Sequence, residues 1–144
     1  DEGLRIGEVL FDQLDAIIKL CQQAEKIAAL QPENIREKLN QQIAELLEAV
    51  PSLPEERLAQ EAAVLMTKAD VREELDRLQA HIEAAKDLMD GGGVIGRRLD
   101  FLCQEFNREA NTLCSKAADV ELSKIGLELK AVIEQYREQV QNIE

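Results

Sequence analysis

Nearly the whole chain carries apolar residues at helical spacing, and that periodicity constrains the fold more than any other feature. Leu10, Leu14, Ile17, Cys21, Ala24 and Ala28 recur at steps of four and three, with Phe11 and Ile18 beside them. The spacing predicts a helix from about residue 4 to 30 with a seam of coiled-coil type. Gln31-Pro32 reads as a break, because proline has no N–H to donate and suits the first turn of a following helix. The next seam is Ile35, Leu39, Ile43, Leu46 and Val50, and Pro51-Ser52-Leu53-Pro54 ends it. Leu58, Leu65, Val71, Leu75, Leu78, Ile82, Ala85 and Met89 then hold helical phase as far as Gly91-Gly92-Gly93. That predicts one rod of about 50 Å, too long for a compact globule, so it should fold as a hairpin or belong to an oligomer. Ile95, Leu99, Leu102, Phe106, Ala110 and Leu113 mark a fourth helix, and Leu122, Ile125, Leu129, Val132, Tyr136, Val140 and Ile143 a fifth.

The expected class is therefore all-α, with long antiparallel helices in hairpins or a bundle forming part of a homo-oligomer. Residues 1–53 read as a helical hairpin region and 54–144 as a C-terminal helical domain. Composition agrees: 7 Gly, 3 Pro and 3% aromatics leave little for strands or an aromatic core. A net charge of −12 argues against a generic electrostatic coat for nucleic acid. The charge is uneven, however. Arg97, Arg98, Arg108 and Lys116 outnumber Asp100, Glu105 and Glu109 in the only net-positive stretch of its length. Cys21, Cys103 and Cys114 form no CxxC pair, which suggests reduced thiols in a reducing compartment. Nothing resembles a signal peptide, and no apolar run reaches the roughly 20 residues of a membrane span, so a soluble, cytoplasmic protein with no membrane partner is expected. The chain begins without Met and so reads as part of something longer.

Chemistry concentrates on the fourth helix. Arg97, Asp100, Gln104, Asn107, Arg108, Asn111 and Ser115 form one stripe opposite its apolar seam. A merely solvated face would favour Glu, Lys and Gln, whereas Asn107 and Asn111 lower helix stability one turn apart in mid-helix. Guanidiniums on a stiff helix can fork onto phosphate oxygens, and amides can read base edges or riboses. A polar oligomer interface would use the same residues. Glu105 and Glu109 lie one turn apart, a spacing that suits Mg²⁺ or Mn²⁺ or a general base, and also an ion-pair ladder with Arg98 and Lys116. On the third helix Asp70, Glu74, Arg77 and His81 share a stripe. Histidine is the side-chain type that changes charge near neutral pH. His81 with Glu74 could bind a metal or exchange protons on a phosphodiester, or could be ordinary surface. The glycine run lacks the GK[ST] ending of a P-loop and reads as a turn, although Arg97 and Arg98 at the following helix start would attract an anion.

These residues also resemble a family. ADVREELDRLQAHIEAAKDLM (69–89), GRRLDFLCQEFNREANTLCSKA (96–117) and ELKAVIEQYREQVQNIE (128–144) closely resemble the C-terminal domain of the YicC/YloC-type stress-induced endoribonucleases of bacteria. The similarity covers residues 54–144 well and 1–50 more loosely. It implies a homo-oligomeric, hexameric RNA endonuclease dependent on Mn²⁺ or Mg²⁺, and a separate N-terminal domain absent from this chain. The family positions carried here include Glu73, Glu74, Asp76, Arg77, His81, Arg97, Arg98, Asp100, Gln104, Glu105, Asn107, Arg108, Glu109, Asn111, Ser115 and Lys116. Gly91-Gly92-Gly93 departs from the family, whose members are more polar there, and implies a looser turn.

The expectation that follows is a metal-dependent endoribonuclease acting on single-stranded or structured RNA. Its candidate catalytic residues are His81, Glu105, Glu109 and Arg108. Arg97, Arg98, Gln104, Asn107, Asn111 and Lys116 are the candidate RNA contacts, and Glu74, His81, Glu105 and Glu109 the candidate metal ligands. The alternative is a non-catalytic oligomerisation or RNA-binding module of a larger protein. A plain coiled-coil adaptor would leave the Asn, Gln and Arg stripe unexplained.

Overall fold

A computed structural model describes residues 2–52, 54–117 and 119–143, so Leu53 of the predicted linker lies outside the described residues. The described residues form five helices: α1 (Glu2–Ala49), α2 (Glu55–Lys68), α3 (Arg72–Gly91), α4 (Gly96–Lys116) and α5 (Val120–Gln141). No strand occurs among the described residues, so the class is all-α as expected. Among the described residues no helix is long and apolar enough to cross a membrane.

The first half of α1 joins α3, α4 and α5 in one core, with neighbours α1–α3, α3–α4, α4–α5 and α5–α1 running around the bundle. The predicted seams form most of it: Leu14 and Ile17 from α1, Leu78 and Ile82 from α3, Leu99, Phe106 and Leu113 from α4, and Leu122 and Leu129 from α5 are all buried, while Ile133 is buried in place of the expected Val132, which is half-buried. Each such side chain contributes about 1.5–3 kcal/mol when removed from water. Tyr136 is fully buried, its hydroxyl 3.2 Å from Met89 Sδ and its ring edge-on to Phe106 at 6.3 Å. At Gly126 an added Cβ would sit 2.6 Å from Cys114 Sγ, so the missing side chain lets α5 approach α4. Asp100 ties the same helices by accepting from Arg137 at 3.1 Å and from Gln141 at 3.4 Å. Cys21 and Cys103 are free and buried, and burial pushes both thiols up to about 12, which keeps them protonated and unreactive.

Two helix boundaries differ from the sequence expectation. The predicted break at Gln31-Pro32 is absent, and α1 runs through Pro32 without interruption. Pro32 forfeits one backbone hydrogen bond, a cost of about 3 kcal/mol in a helix interior. The cost is offset because Ala28 and Gln31 are anchored in buried positions and strong helix formers follow Pro32. The chain turns back between α1 and α2 instead, and α2 packs against the second half of α1. Conversely, the single rod expected for 54–90 is two helices. Asp70 interrupts it: Oδ1 accepts the Arg72 backbone N–H at 3.0 Å, and the carboxylate grips the Arg72 guanidinium at 2.7 Å. Those bonds, foremost the one from the Arg72 side chain, hold the Asp70 carboxyl below its ordinary value. The interruption buries Ala69 and Val71, while α2 has no buried residue of its own. The second half of α1 and α2 therefore stand as a hairpin beyond the four-helix core.

Gly92 and Gly93 adopt φ of 69° and 80°, which returns the chain into α4. This tight reversal sets the register in which α3 and α4 run antiparallel, and hence which polar side chains meet.

Candidate metal centre

Along the α3–α4 seam a ladder of charged groups alternates from one helix to the other. Lys116 Nζ donates to Glu74 Oε1 at 2.7 Å. Arg77 Nη2 lies 3.8 Å from the same oxygen, while its Nε donates to Glu109 Oε1 at 3.0 Å. Arg77 also pairs with Glu73 one turn back on its own helix. One turn farther along α3, His81 meets Glu105 and Glu109: one ligand atom from each lies within 4.8 Å of the others. Glu109 is buried, whereas His81 and Glu105 are half-buried at the mouth.

The electrostatics of this end of the ladder would suit a cation. Two carboxylates so close repel one another, and Arg77 supplies a single compensating charge, directed at one oxygen of Glu109. Glu109, and after it Glu73, raise the Arg77 guanidinium above its already high ordinary value, so it stays charged throughout. His81 Nε2 is buried and has no hydrogen-bond partner, although its ring packs edge-on against Phe106 at 6.3 Å. A buried imidazole nitrogen without a partner costs free energy unless it donates or ligates. One nitrogen and two carboxylates are a donor set that suits Mn²⁺, and Mg²⁺ with more retained water. The residues present fit such an ion.

Of the four candidate ligands, three converge and Glu74 does not. It is buried farther down the seam with Oε1 taken by Lys116, and its Oε2 has no partner. Lys116, read as an RNA contact, is turned inward onto Glu74, which raises its ammonium above the ordinary value. The remaining candidates lie on the outer face of α4. Arg97, Arg98, Gln104, Arg108, Asn111 and Ser115 are exposed and Asn107 is half-buried. Gln104 reaches Asp100 at 3.4 Å. Two features escaped the sequence reading. Arg77 braces a ligand, which could have been suspected from its place between Glu74 and His81 at steps of three and four. Phe101 is 60% exposed on the polar stripe beside Arg97 and Arg98, and its position off the Leu99–Leu102–Phe106 seam was the available signal.

Were a cation held by His81, Glu105 and Glu109, Arg77 would be its outer support through Glu109. Arg77→Ala should weaken Mn²⁺ binding by about 10- to 100-fold, as loss of outer-sphere partners does elsewhere, with Arg77→Lys retaining part of the affinity. Calorimetric titration with Mn²⁺ measures both, and equal affinities in all three proteins would show that Glu109 needs no brace.

The family model described as "Endoribonuclease YicC-like, C-terminal" matches residues 24–144. A relative in Clostridioides difficile, described as a probable endoribonuclease YicC, is 39% identical over 144 residues, covering 100% of this chain and 49% of the relative. A relative in Haemophilus influenzae with the same description is 36% identical over 143 residues, covering 99% and 49%. The chain thus spans about half the length of the curated relatives it matches.

Proposed function

Because the chain belongs to the family of endoribonuclease YicC-like C-terminal domains, we propose that it carries the metal-binding centre of a divalent-cation-dependent endoribonuclease. The observation that supports this most is the convergence of His81, Glu105 and Glu109, where the imidazole also keeps a buried Nε2 without a hydrogen-bond partner. A bound Mn²⁺ or Mg²⁺ would stabilise charge on a phosphodiester and lower the pKa of an attacking water or 2′-hydroxyl.

His81, Glu105 and Glu109 hold the cation, and Arg77 fixes Glu109 so that its free oxygen stays in place. Arg108, exposed on α4 one turn from Glu105, carries a guanidinium that forks onto a phosphate entering the centre. Arg97, Arg98, Gln104, Asn107 and Asn111 lie along the same helix, and fixed guanidiniums and amides on it orient a strand without ordering flexible loops first. Self-association, which the family resemblance implies, is included in the proposal; exposed Phe11, Leu30 and Leu127 are scattered singly and carry no argument for it.

Titrating the chain and its full-length parent with Mn²⁺ tests the reading, together with cleavage of a labelled single-stranded oligoribonucleotide in Mn²⁺ and in chelator. One tight Mn²⁺ per chain and metal-dependent cutting are expected from the full-length protein. Metal and RNA binding by the chain without cutting would place the rest of the machinery in the other half. If neither metal nor RNA binds, the chain is scaffold.

A further inference from the structure

Beyond the metal centre, the hairpin formed by the second half of α1 and α2 overhangs the C-terminal end of α4 and the start of α5. Between them lies a cleft of about 920 Å³, near the upper end of the roughly 300–1,000 Å³ typical of ligand sites. Its lining runs against the charge of the molecule. In a chain of net charge −12, the cleft gathers Lys38 and Lys68, beside a Lys116 already paired with Glu74, against the single lining acid Asp119. The Asp119 carboxylate is already engaged, accepting the Glu121 backbone N–H at 2.7 Å as the cap of α5.

Gln31 supplies an independent sign of a ligand. It is 5% exposed, lines the cleft, and its Nε2 is buried with no partner. An amide donor without an acceptor is costly in that position, and a phosphate or base-carbonyl oxygen would satisfy it. The cleft also continues a surface already described. Ser115, the last residue of the polar α4 stripe, lines it, and Asn111 and Arg108 precede Ser115 at steps of four and three on the exposed side of the helix. Lys116 follows Glu109 by seven residues, so the cleft lies about 10 Å from the carboxylates along the axis of α4.

We infer that this cleft is an anchoring site for single-stranded RNA, with Lys38 and Lys68 holding phosphates and Gln31 hydrogen-bonding an RNA oxygen while the strand extends along α4 toward the metal centre. The inference rests on the nuclease reading for its direction, but its test does not. Lys38 and Lys68 are exposed on the hairpin, away from the core, so K38E/K68E and the milder K38Q/K68Q should fold normally.

Fluorescence anisotropy with a labelled single-stranded oligoribonucleotide, over a series of salt concentrations, reads the contacts. Both variants should bind at least tenfold more weakly. The salt slope should fall by about 1.4, two single-strand phosphates at about 0.7 each. Gln31→Leu should weaken binding without changing that slope, and Mn²⁺ affinity should be unaltered in all three. RNA affinity and slope equal to wild type would overturn the inference, as would wild-type protein that does not bind RNA. A change in sedimentation mass with the RNA slope intact would assign the cleft to a second copy of the chain and also overturn it. If RNA binding depends on Lys38 and Lys68 but Mn²⁺ does not bind at His81, the anchoring site stands and the nuclease reading alone is lost.

Discussion

His81→Ala is expected to abolish tight Mn²⁺ binding and reduce kcat/KM of the full-length protein for RNA at least 1,000-fold, about 4 kcal/mol of transition-state stabilisation. Outer supports of metal sites are worth about 10- to 100-fold in affinity, and His81 offers the only nitrogen in the cluster. The two carboxylates left behind bind divalent ions weakly, since a small hard cation with two protein ligands keeps most of its water. The fold should survive: His81 is half-buried and gives up one edge contact with Phe106, about 0.5–1.5 kcal/mol. Glu105→Gln should lose metal with even less structural cost, because it preserves shape and removes only charge. Calorimetry for Mn²⁺, steady-state cleavage and thermal unfolding of the same preparations separate the effects. Wild-type Mn²⁺ affinity in His81→Ala would remove the histidine from the centre. Lost cleavage with unchanged Mn²⁺ affinity would assign it to proton transfer instead.

Much of this geometry was legible in the residues, for reasons that also explain what was not. The buried seams of α1, α3, α4 and α5 follow directly from apolar spacing, since burial on a helix is a one-dimensional pattern. Convergence of His81 with Glu105 and Glu109 required only that α3 and α4 be adjacent and antiparallel, which the short glycine turn imposes. Glu74 was harder. Two turns of α3 separate it from His81, against one turn of α4 between Glu105 and Glu109, and Lys116, 42 residues away, takes its carboxylate. No local pattern tells which of several acids a distant lysine will neutralise. Pro32 was misleading because the proline penalty is a local quantity, and here packing of the preceding turn against the bundle outweighs it. Asp70 had the opposite failing. The Asp70-to-Glu73 spacing is that of a capping box, a start signal present in the sequence, but the surrounding apolar phase read through it. Neither half of that box forms: Asp70 accepts from the Arg72 N–H two residues on, Val71 holds the N-cap position, and Glu73 pairs with Arg77.

The Glu74–Lys116 pair also makes the strongest stability prediction. Glu74 is 1% exposed, and its two cationic neighbours are Lys116 at 2.7 Å and Arg77 at 3.8 Å. Lys116→Met removes the nearer one and strands a buried carboxylate, a class of change that costs about 3–5 kcal/mol. The lower figure is expected here, because Arg77 remains and the lysine side chain is 33% exposed, so solvent screens part of the interaction. Adding Glu74→Leu should restore stability to within about 1 kcal/mol of wild type, since an apolar pair replaces a buried ion pair at little net cost. The pH dependence has a definite sign. Glu74 raises the Lys116 ammonium in the folded state, so the stabilisation is complete below the unfolded lysine value of about 10.4 and fades as pH climbs through the higher folded one. Urea unfolding from pH 7 to 11 should therefore show a constant gap between wild type and Lys116→Met until about pH 10, narrowing beyond it. Cys21 and Cys103, held up at about 12, destabilise both proteins alike in that range and cancel in the difference. A gap that closes between pH 7 and 9, or a double variant no more stable than the single one, would mean that the lysine acts through something other than this carboxylate.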